Sequence, residues 1–385
     1  MPKRKLVLVI GMIDSIHLAK WLSRFEAREI DFEVFPCQPV WKVHPILQSL
    51  LSKPVAASYK LLEPIPRSRI TKIRMLITKG RKSPLLTKSR IKKLRKILRN
   101  RKFDYIHIQE FQHSGYLFLN ARQQFAGNPK IVLTNWGSDI VFYKKDPDHL
   151  IRIRELLEIS DQYSAECVRD YMLAKELGFN GESLPVVPTS FDLSFLKNFP
   201  DSLPSLNQRK QLIIKAYGGE IGEGRIAIQV AAKFLKKFSN SEVLLYSVTS
   251  DLYDDANRLK QNHEGKVRVW KVNENHSHSE LMTEFSRSRV YLGLSKSDGI
   301  STAFLEAMAT GAHPIQSNTS CAGELLIEGF EADLPEVSAE QVWELLQKRW
   351  VDLDRLGVST RTNSKLISEK FSPEFYESRL QMYYR

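Results

Sequence analysis

The run Val290-Tyr-Leu-Gly-Leu294, Ser295-Lys-Ser-Asp298-Gly-Ile-Ser-Thr302, Ala303-Phe-Leu-Glu306-Ala-Met-Ala309 and His313-Pro-Ile-Gln316 reads as strand, loop, helix and strand. The apolar strand ends at Leu294. The loop is rich in small and hydroxyl side chains. A helix opening near Thr302 presents unpaired amides at the positive end of its dipole. Gly299 lets a ligand approach the backbone closely. Together these features predict a phosphate cradle. Leu305, Met308 and Ala309 share one face, and Glu306 lies off it near the helix start.

The same alternation extends outward in both directions. Downstream of residue 210, strands are predicted at Gln211–Ile214, Val243–Ser247 and Val267–Val272, with helices at Ala227–Phe238 and Ser279–Ser286. Upstream, strand-like runs stand at Leu6–Ile10, Phe32–Phe35, Tyr105–Ile108, Ile131–Thr134 and Leu184–Val187. Helical stripes cover His17–Phe25, His149–Ile159 and Val168–Leu177. The polar stretch Asp192–Arg209, with Pro200 and Pro204, reads as a linker. Two separated runs of alternating strands and helices predict two parallel α/β domains, with ligands at the carboxyl ends of the strands and in a cleft between the domains.

Asp298 and Glu306 flank the predicted phosphate position. At ~4 Å, each carboxylate–phosphate pair repels by about 4 kcal/mol at an effective dielectric of 20. The arrangement suits a ligand that turns neutral hydroxyls to the acids while cations offset its phosphates. A nucleotide sugar has that chemistry.

At these residues the chain resembles the family-4 retaining glycosyltransferases of the GT-B fold. Their pattern is an acid, Gly and a short loop, then Glu eight positions after the first acid in a Leu-Glu-Ala-Met run followed by Gly and Pro. Here it stands as Asp298-Gly-Ile-Ser-Thr-Ala-Phe-Leu-Glu306-Ala-Met-Ala-Thr-Gly311-Ala-His-Pro314, with Asp in place of the first Glu. The resemblance implies that Asp298 meets the donor sugar's hydroxyls, Glu306 binds the ribose, and the backbone of Gly299, Ile300, Ser301 and Thr302 holds the diphosphate. Val186-Val-Pro-Thr-Ser-Phe-Asp192-Leu-Ser-Phe195 is similar to the family's entry into the linker. Thr134-Asn-Trp-Gly-Ser-Asp139 is similar to a loop with His where Trp136 stands. The closing Phe371–Tyr384 resembles a last helix that returns to the first domain.

The loop Lys215-Ala-Tyr-Gly-Gly219-Glu-Ile-Gly-Glu-Gly-Arg225 is where the family places its phosphate-binding cations. Glu220 occupies the family's Arg position and Arg225 its Lys position, so Lys215 is the substitute cation. Gly219 belongs to the same donor loop. In the first domain Gly11, His17, His113 and Asp139 are the cleft candidates, and His107 is expected to be a hydrogen-bonded structural residue. Asp146-Pro-Asp148 and Asp352-Leu-Asp354 read as helix caps and polar helical surface rather than as metal ligands. No metal or other cofactor is expected. His276-Ser-His278 reads as a solvated loop.

The chain has 385 residues and a formal net charge of +13. Arg67–Lys102 holds sixteen Lys and Arg and no Asp or Glu, which points to an anionic partner. Ile70, Ile73 and Leu76, and then Ile91, Leu94 and Ile97, recur at helical spacing. Amphipathic helices with cationic faces bind anionic membrane. The block has no aromatic residue to stack bases, so nucleic acid is not expected. Cys37, Cys167 and Cys321 are widely spaced with no CxxC pair, which favours a reducing compartment. No stretch approaches the ~20 apolar residues of a membrane span.

The expected organisation is an acceptor-side Rossmann-like domain over residues 1–200 with a basic insertion at 67–102, a nucleotide-sugar-binding domain over 201–365, and a returning C-terminal helix over 366–385. The expected activity is metal-independent hexosyl transfer from a nucleotide sugar, UDP favoured, to a glycan acceptor on a lipid, in cell-surface polysaccharide or lipopolysaccharide synthesis. The expected location is cytoplasmic, on the inner face of the cell membrane. The alternatives are a GT-B nucleotide-sugar epimerase or hydrolase, and a non-enzymatic basic module binding lipid or nucleic acid.

Overall fold

The computed structural model describes residues 4–39, 42–53, 55–63, 84–199, 203–272, 274 and 276–385. The chain divides into two compact units, residues 1–190 with 377–385, and residues 191–376.

The first unit is built on a seven-stranded parallel sheet. Its strands are β1 (Lys5–Gly11), β2 (Ile30–Pro36), β3 (Ser58–Leu61), β4 (Tyr105–Gln109), β5 (Lys130–Thr134), β6 (Gln162–Ser164) and β7 (Glu182–Ser183), in the order β3-β2-β1-β4-β5-β6-β7. Val7–Ile10 are fully buried, which is why β1 reads as an unbroken apolar run rather than an alternating one. The predicted run Leu184–Val187 lies just past β7.

The second unit holds a five-stranded parallel sheet. Its strands are β8 (Gln211–Lys215), β9 (Glu242–Val248), β10 (Val267–Lys271), β11 (Ser288–Gly293) and β12 (His313–Gln316), in the order β10-β9-β8-β11-β12. A helix at Tyr253–Asn262 joins β9 to β10. Only Ala256 and Leu259 of its ten residues are buried, so its sequence is mostly polar and gives little helical periodicity.

Each sheet reverses strand order once, at β1/β4 and at β8/β11. The crevice outside the strand ends at such a reversal is where doubly wound sheets take their ligands. Lys215 and Gly293 are register partners at the β8/β11 reversal, so the loops leaving those strands start side by side.

The last residues return to the first unit. The Tyr384 hydroxyl bonds His107 Nδ1, the Tyr383 hydroxyl lies 2.6 Å from Ser164 Oγ, and Arg28 pairs with Glu377 at 2.8 Å. Trp21 packs edge-on to Tyr383 at 4.7 Å. Buried aromatic rings thus anchor the C-terminus to the first sheet.

Within the basic block, Pro84–Asn100 is a helix, while Ile70, Ile73 and Leu76 lie outside the described residues. Its apolar face is not open to a membrane. Leu94 and Leu98 are buried in the first unit's core, and Ile91 and Ile97 pack against it. Arg90 and Lys93 both pair with Glu63 at 2.8 Å. Lys88, Lys92, Lys96 and Arg99 remain exposed. Among the described residues no helix is long and apolar enough to cross a membrane.

Candidate donor site and the first-sheet cluster

In the second unit the loops after β8 and β11 are stitched together. Glu223 N–H donates to Leu294 O at 3.1 Å, and Lys296 N–H donates to Ile221 O at 2.8 Å. The segment after β12 braces the second loop from behind. Ser295 N–H donates to Ser317 Oγ at 3.0 Å, and Cys321 N–H donates to Gly299 O at 2.9 Å. This bracing fixes Gly299, Ile300 and Ser301, all buried, ahead of the helix Thr302–Ala309. Ser301 is the extended N-cap residue and makes no side-chain capping bond. The helix is buried on every side from Ala303 to Ala309, not along one face as its periodicity suggests.

Asp298 is half-buried, and one of its carboxylate oxygens accepts from Gly299 N–H at 2.9 Å. Glu306 is 7% exposed. Its Oε1 lies 2.6 Å from His278 Nε2. Both acids act on one group of tyrosines. Burial pushes the Tyr217, Tyr246 and Tyr291 hydroxyls up from their ordinary pKa. The Asp298 charge adds to this for Tyr217 and Tyr291, and the Glu306 charge for Tyr246. The three phenols therefore stay neutral. Tyr291 Oη also explains Gly293, because a Cβ there would stand 2.2 Å from that oxygen.

The β8 loop is arranged differently from the sequence expectation. Lys215 lies at the strand end with its ammonium 4.7 Å above the Tyr217 ring. Gly219 sits at φ +74°, a left-handed conformation that favours glycine, and its amide is taken by Asp251 Oδ2 at 3.2 Å. Gly218 N–H donates to Thr249 Oγ1 at 2.9 Å. Arg225 reaches Asp255 on the helix Tyr253–Asn262 at 2.7 Å. Lys215 is thus the predicted cation that stands directly at the β8/β11 reversal.

In the first unit, the carboxyl ends of β1, β4 and β5 gather a second cluster. Gly11 closes β1, with space for a Cβ limited by Leu18 Cδ2 at 2.9 Å. The His17 imidazole stacks on Trp136, centroids 4.9 Å apart. Trp136 Nε1–H donates to Gln109 Oε1 at 3.1 Å. Gln109 Nε2 lies 3.1 Å from His107 Nε2, which is 2.6 Å from Thr134 Oγ1. Burial pushes the His107 pKa down to about 3, so the ring is neutral and structural, as expected. Asp139 is buried and accepts from Trp136 N–H at 2.8 Å. Burial first, and then the Glu110 charge, raise its carboxyl well above the ordinary range.

His113 is half-exposed on a single π-helical turn, Phe111–Gly115. Glu110 holds that turn: its carboxylate accepts from His113 N–H at 2.8 Å and also from Ser114 N–H. Glu110 itself is buried at φ +74°, a strained conformation for a residue with a side chain. Nothing in the sequence marks Glu110, because the signal is backbone conformation. His278, read as part of a solvated loop, instead opens a helix and meets Glu306. His276 stacks on Trp270, centroids 3.9 Å apart. Asp146 and Asp352 are helix caps, accepting from His149 and Asp148 N–H and from Arg355 N–H respectively.

Residues 6–160 match the family described as glycosyl transferase 4-like. That match lies within the first unit, whereas the acidic loop at Asp298–Glu306 lies in the second. Solved structures share the fold of the whole chain. HepE from Anabaena, in complex with UDP and glucose, shares 11% identity with a TM-score of 0.64, covering 98% of each chain. Sucrose-phosphate synthase from Thermosynechococcus elongatus shares 15% identity with a TM-score of 0.67, covering 99% of this chain and 98% of that one. A UDP-N-acetylglucosamine 2-epimerase shares 14% identity with a TM-score of 0.60, covering 100% and 98%. The fold is the α/β GT-B fold with two parallel sheets. No curated protein matches the sequence significantly.

Proposed function

We propose that the chain is a retaining glycosyltransferase that moves a hexosyl group from a UDP-sugar to a glycan acceptor carried on a lipid. One observation carries this reading: the loop bearing Asp298 leaves β11 at the β8/β11 reversal, where Gly293 is the register partner of Lys215, and leads into the helix that carries the buried Glu306. In it, Asp298 binds the donor sugar's hydroxyls and Glu306 the ribose. The backbone from Gly299 to Thr302 and the dipole of the following helix take the diphosphate. Lys215 offsets the charge that develops as the diphosphate departs, and a preorganised cation there lowers the barrier without a metal. Arg225 would add to that charge only after leaving Asp255. The UDP bound by HepE supports the choice of nucleotide.

The first-unit residues Gly11, His17, His113 and Asp139 form the acceptor side in this reading. The exposed Lys88, Lys92, Lys96 and Arg99 support attachment to the inner face of the cell membrane through charge. Each contributes about 1 kcal/mol on an anionic surface. Because the apolar side of that helix is in the core, the attachment is electrostatic and is released by salt.

The test is turnover of UDP-glucose, UDP-galactose and UDP-N-acetylglucosamine, with and without a lipid-linked glycan fraction, followed by mass spectrometry and NMR of the product anomer. Transfer with retained configuration, abolished in Asp298→Ala, supports the proposal. Donor epimerisation or hydrolysis at the same rate without acceptor would identify the epimerase-like alternative. Absence of any nucleotide binding would leave only a basic binding module.

A further inference from the structure

His278 has the geometry of a residue built to serve Glu306. It is the first residue of the helix His278–Arg287, whose start is locked by a reciprocal capping box. Ser277 Oγ accepts from Glu280 N–H at 3.1 Å, and Glu280 Oε2 accepts from Ser277 N–H at 2.6 Å. Such a box satisfies two helix-end donors at once and fixes the direction in which the chain enters the helix. Phe195 stands edge-on to the imidazole, centroids 5.7 Å apart and planes at 86°. The ring is thus set from the backbone and flanked by an aromatic side chain, with Nε2 2.6 Å from Glu306 Oε1.

An ionised carboxylate only accepts hydrogen bonds, so Nε2 carries the proton and donates it. The other carboxylate oxygen of Glu306, Oε2, has no hydrogen-bond partner among the described residues. The Glu306 side chain is 9% exposed, whereas His278 is 44% exposed. A nearly buried acid therefore has one oxygen occupied and oriented, and one oxygen open. The open oxygen still offers acceptor lone pairs to a ligand hydroxyl.

From this geometry we infer that His278 is a positioning residue for nucleotide recognition. It fixes the Glu306 carboxylate so that Oε2 is aimed to accept from the ribose hydroxyls, and so selects ribonucleoside diphosphates over their deoxy counterparts. The inference rests on the reading of Glu306 as the ribose ligand and adds the residue that aims it.

Isothermal titration of UDP, 2′-deoxy-UDP and 3′-deoxy-UDP tests this on the full chain and on His278→Ala and His278→Asn, with thermal melting to confirm that the variants fold. The wild type is expected to bind UDP at least tenfold more tightly than one of the two deoxy analogues. His278→Ala should lose about tenfold for UDP and less than twofold for that analogue, erasing the discrimination. His278→Asn, which keeps an N–H donor, should restore part of it. A merely structural role would weaken all three ligands together, and that result overturns the inference. Unchanged or tighter UDP binding by folded His278→Ala also overturns it, while leaving Glu306 as the ribose ligand intact. Failure of the wild type to bind UDP overturns both.

Discussion

Trp136 lies against His17 with ring centroids 4.9 Å apart and planes 27° from parallel. The indole is also tied through Nε1–H to Gln109 Oε1, and Gln109 is fully buried. Trp136→Phe keeps an aromatic face for His17 and removes that donor. Leaving a buried acceptor unpaired costs about 1–3 kcal/mol. Urea denaturation should show a loss of this size, and an unchanged midpoint would mean that another contact holds the ring.

Lys215 and Arg225 were both expected to serve the donor phosphates, yet their partners differ. Lys215 stands above Tyr217 at the strand reversal, whereas Arg225 is engaged by Asp255. Lys215→Ala is expected to weaken UDP binding about tenfold, or about 1.4 kcal/mol. Arg225→Ala should change it less than twofold. Titration calorimetry at low and high salt separates the two, and a larger effect from Arg225→Ala would reverse the assignment.

His107 sets a pH limit on the first unit. Burial lowers its pKa from 6.5 to about 3, so the folded state disfavours the protonated ring that the unfolded chain accepts. The stabilisation is complete above pH 6.5 and is lost as pH falls from 6.5 towards 3. Between pH 7 and pH 5 this one group accounts for about 2 kcal/mol. Denaturant titrations of His107→Gln at the two pH values should show a pH-dependent loss smaller than that of the wild type by about this amount.

Asp333 gives the second unit a pH dependence of the same sign by the opposite means, through stabilisation of its charged form. Burial raises its pKa, but hydrogen bonds from His313 Nε2 at 2.8 Å and from Arg349 at 2.6 and 2.8 Å outweigh this and hold it below the usual carboxylate range. Its contribution is present above the ordinary value of 3.8 and is lost as pH falls through the lower folded value. Asp333→Ala should destabilise the second unit at pH 7 by up to about 3–5 kcal/mol, because it removes the closest partner of a largely buried guanidinium and leaves only Asp352 at 3.6 Å. Thermal denaturation at pH 7 and pH 3 checks both size and sign.

Much of the architecture could be read from order alone. The unbroken apolar runs at Val7–Ile10 and Leu212–Ile214 are strands because parallel sheets bury both faces, and that property needs no tertiary information. Asp298 and Glu306 were visible because eight residues of loop and helix place them. The helix Tyr253–Asn262 was not visible, since its apolar stripe is only Ala256 and Leu259 among eight mostly polar residues. With it went the partner that holds Arg225.

What the order of residues determined by itself was local: strand and helix periodicity, the acid spacing at Asp298–Glu306, and the charge block from Arg67 to Lys102. Tertiary structure alone decided which side chains are spoken for. His278 meets Glu306 across 28 positions of sequence, Trp136 after β5 meets His17 after β1 across the intervening strand β4, and Leu94 enters the core instead of a bilayer. Hydrogen bonds and burial depend on distance in space, and a one-dimensional pattern encodes distance only within an element.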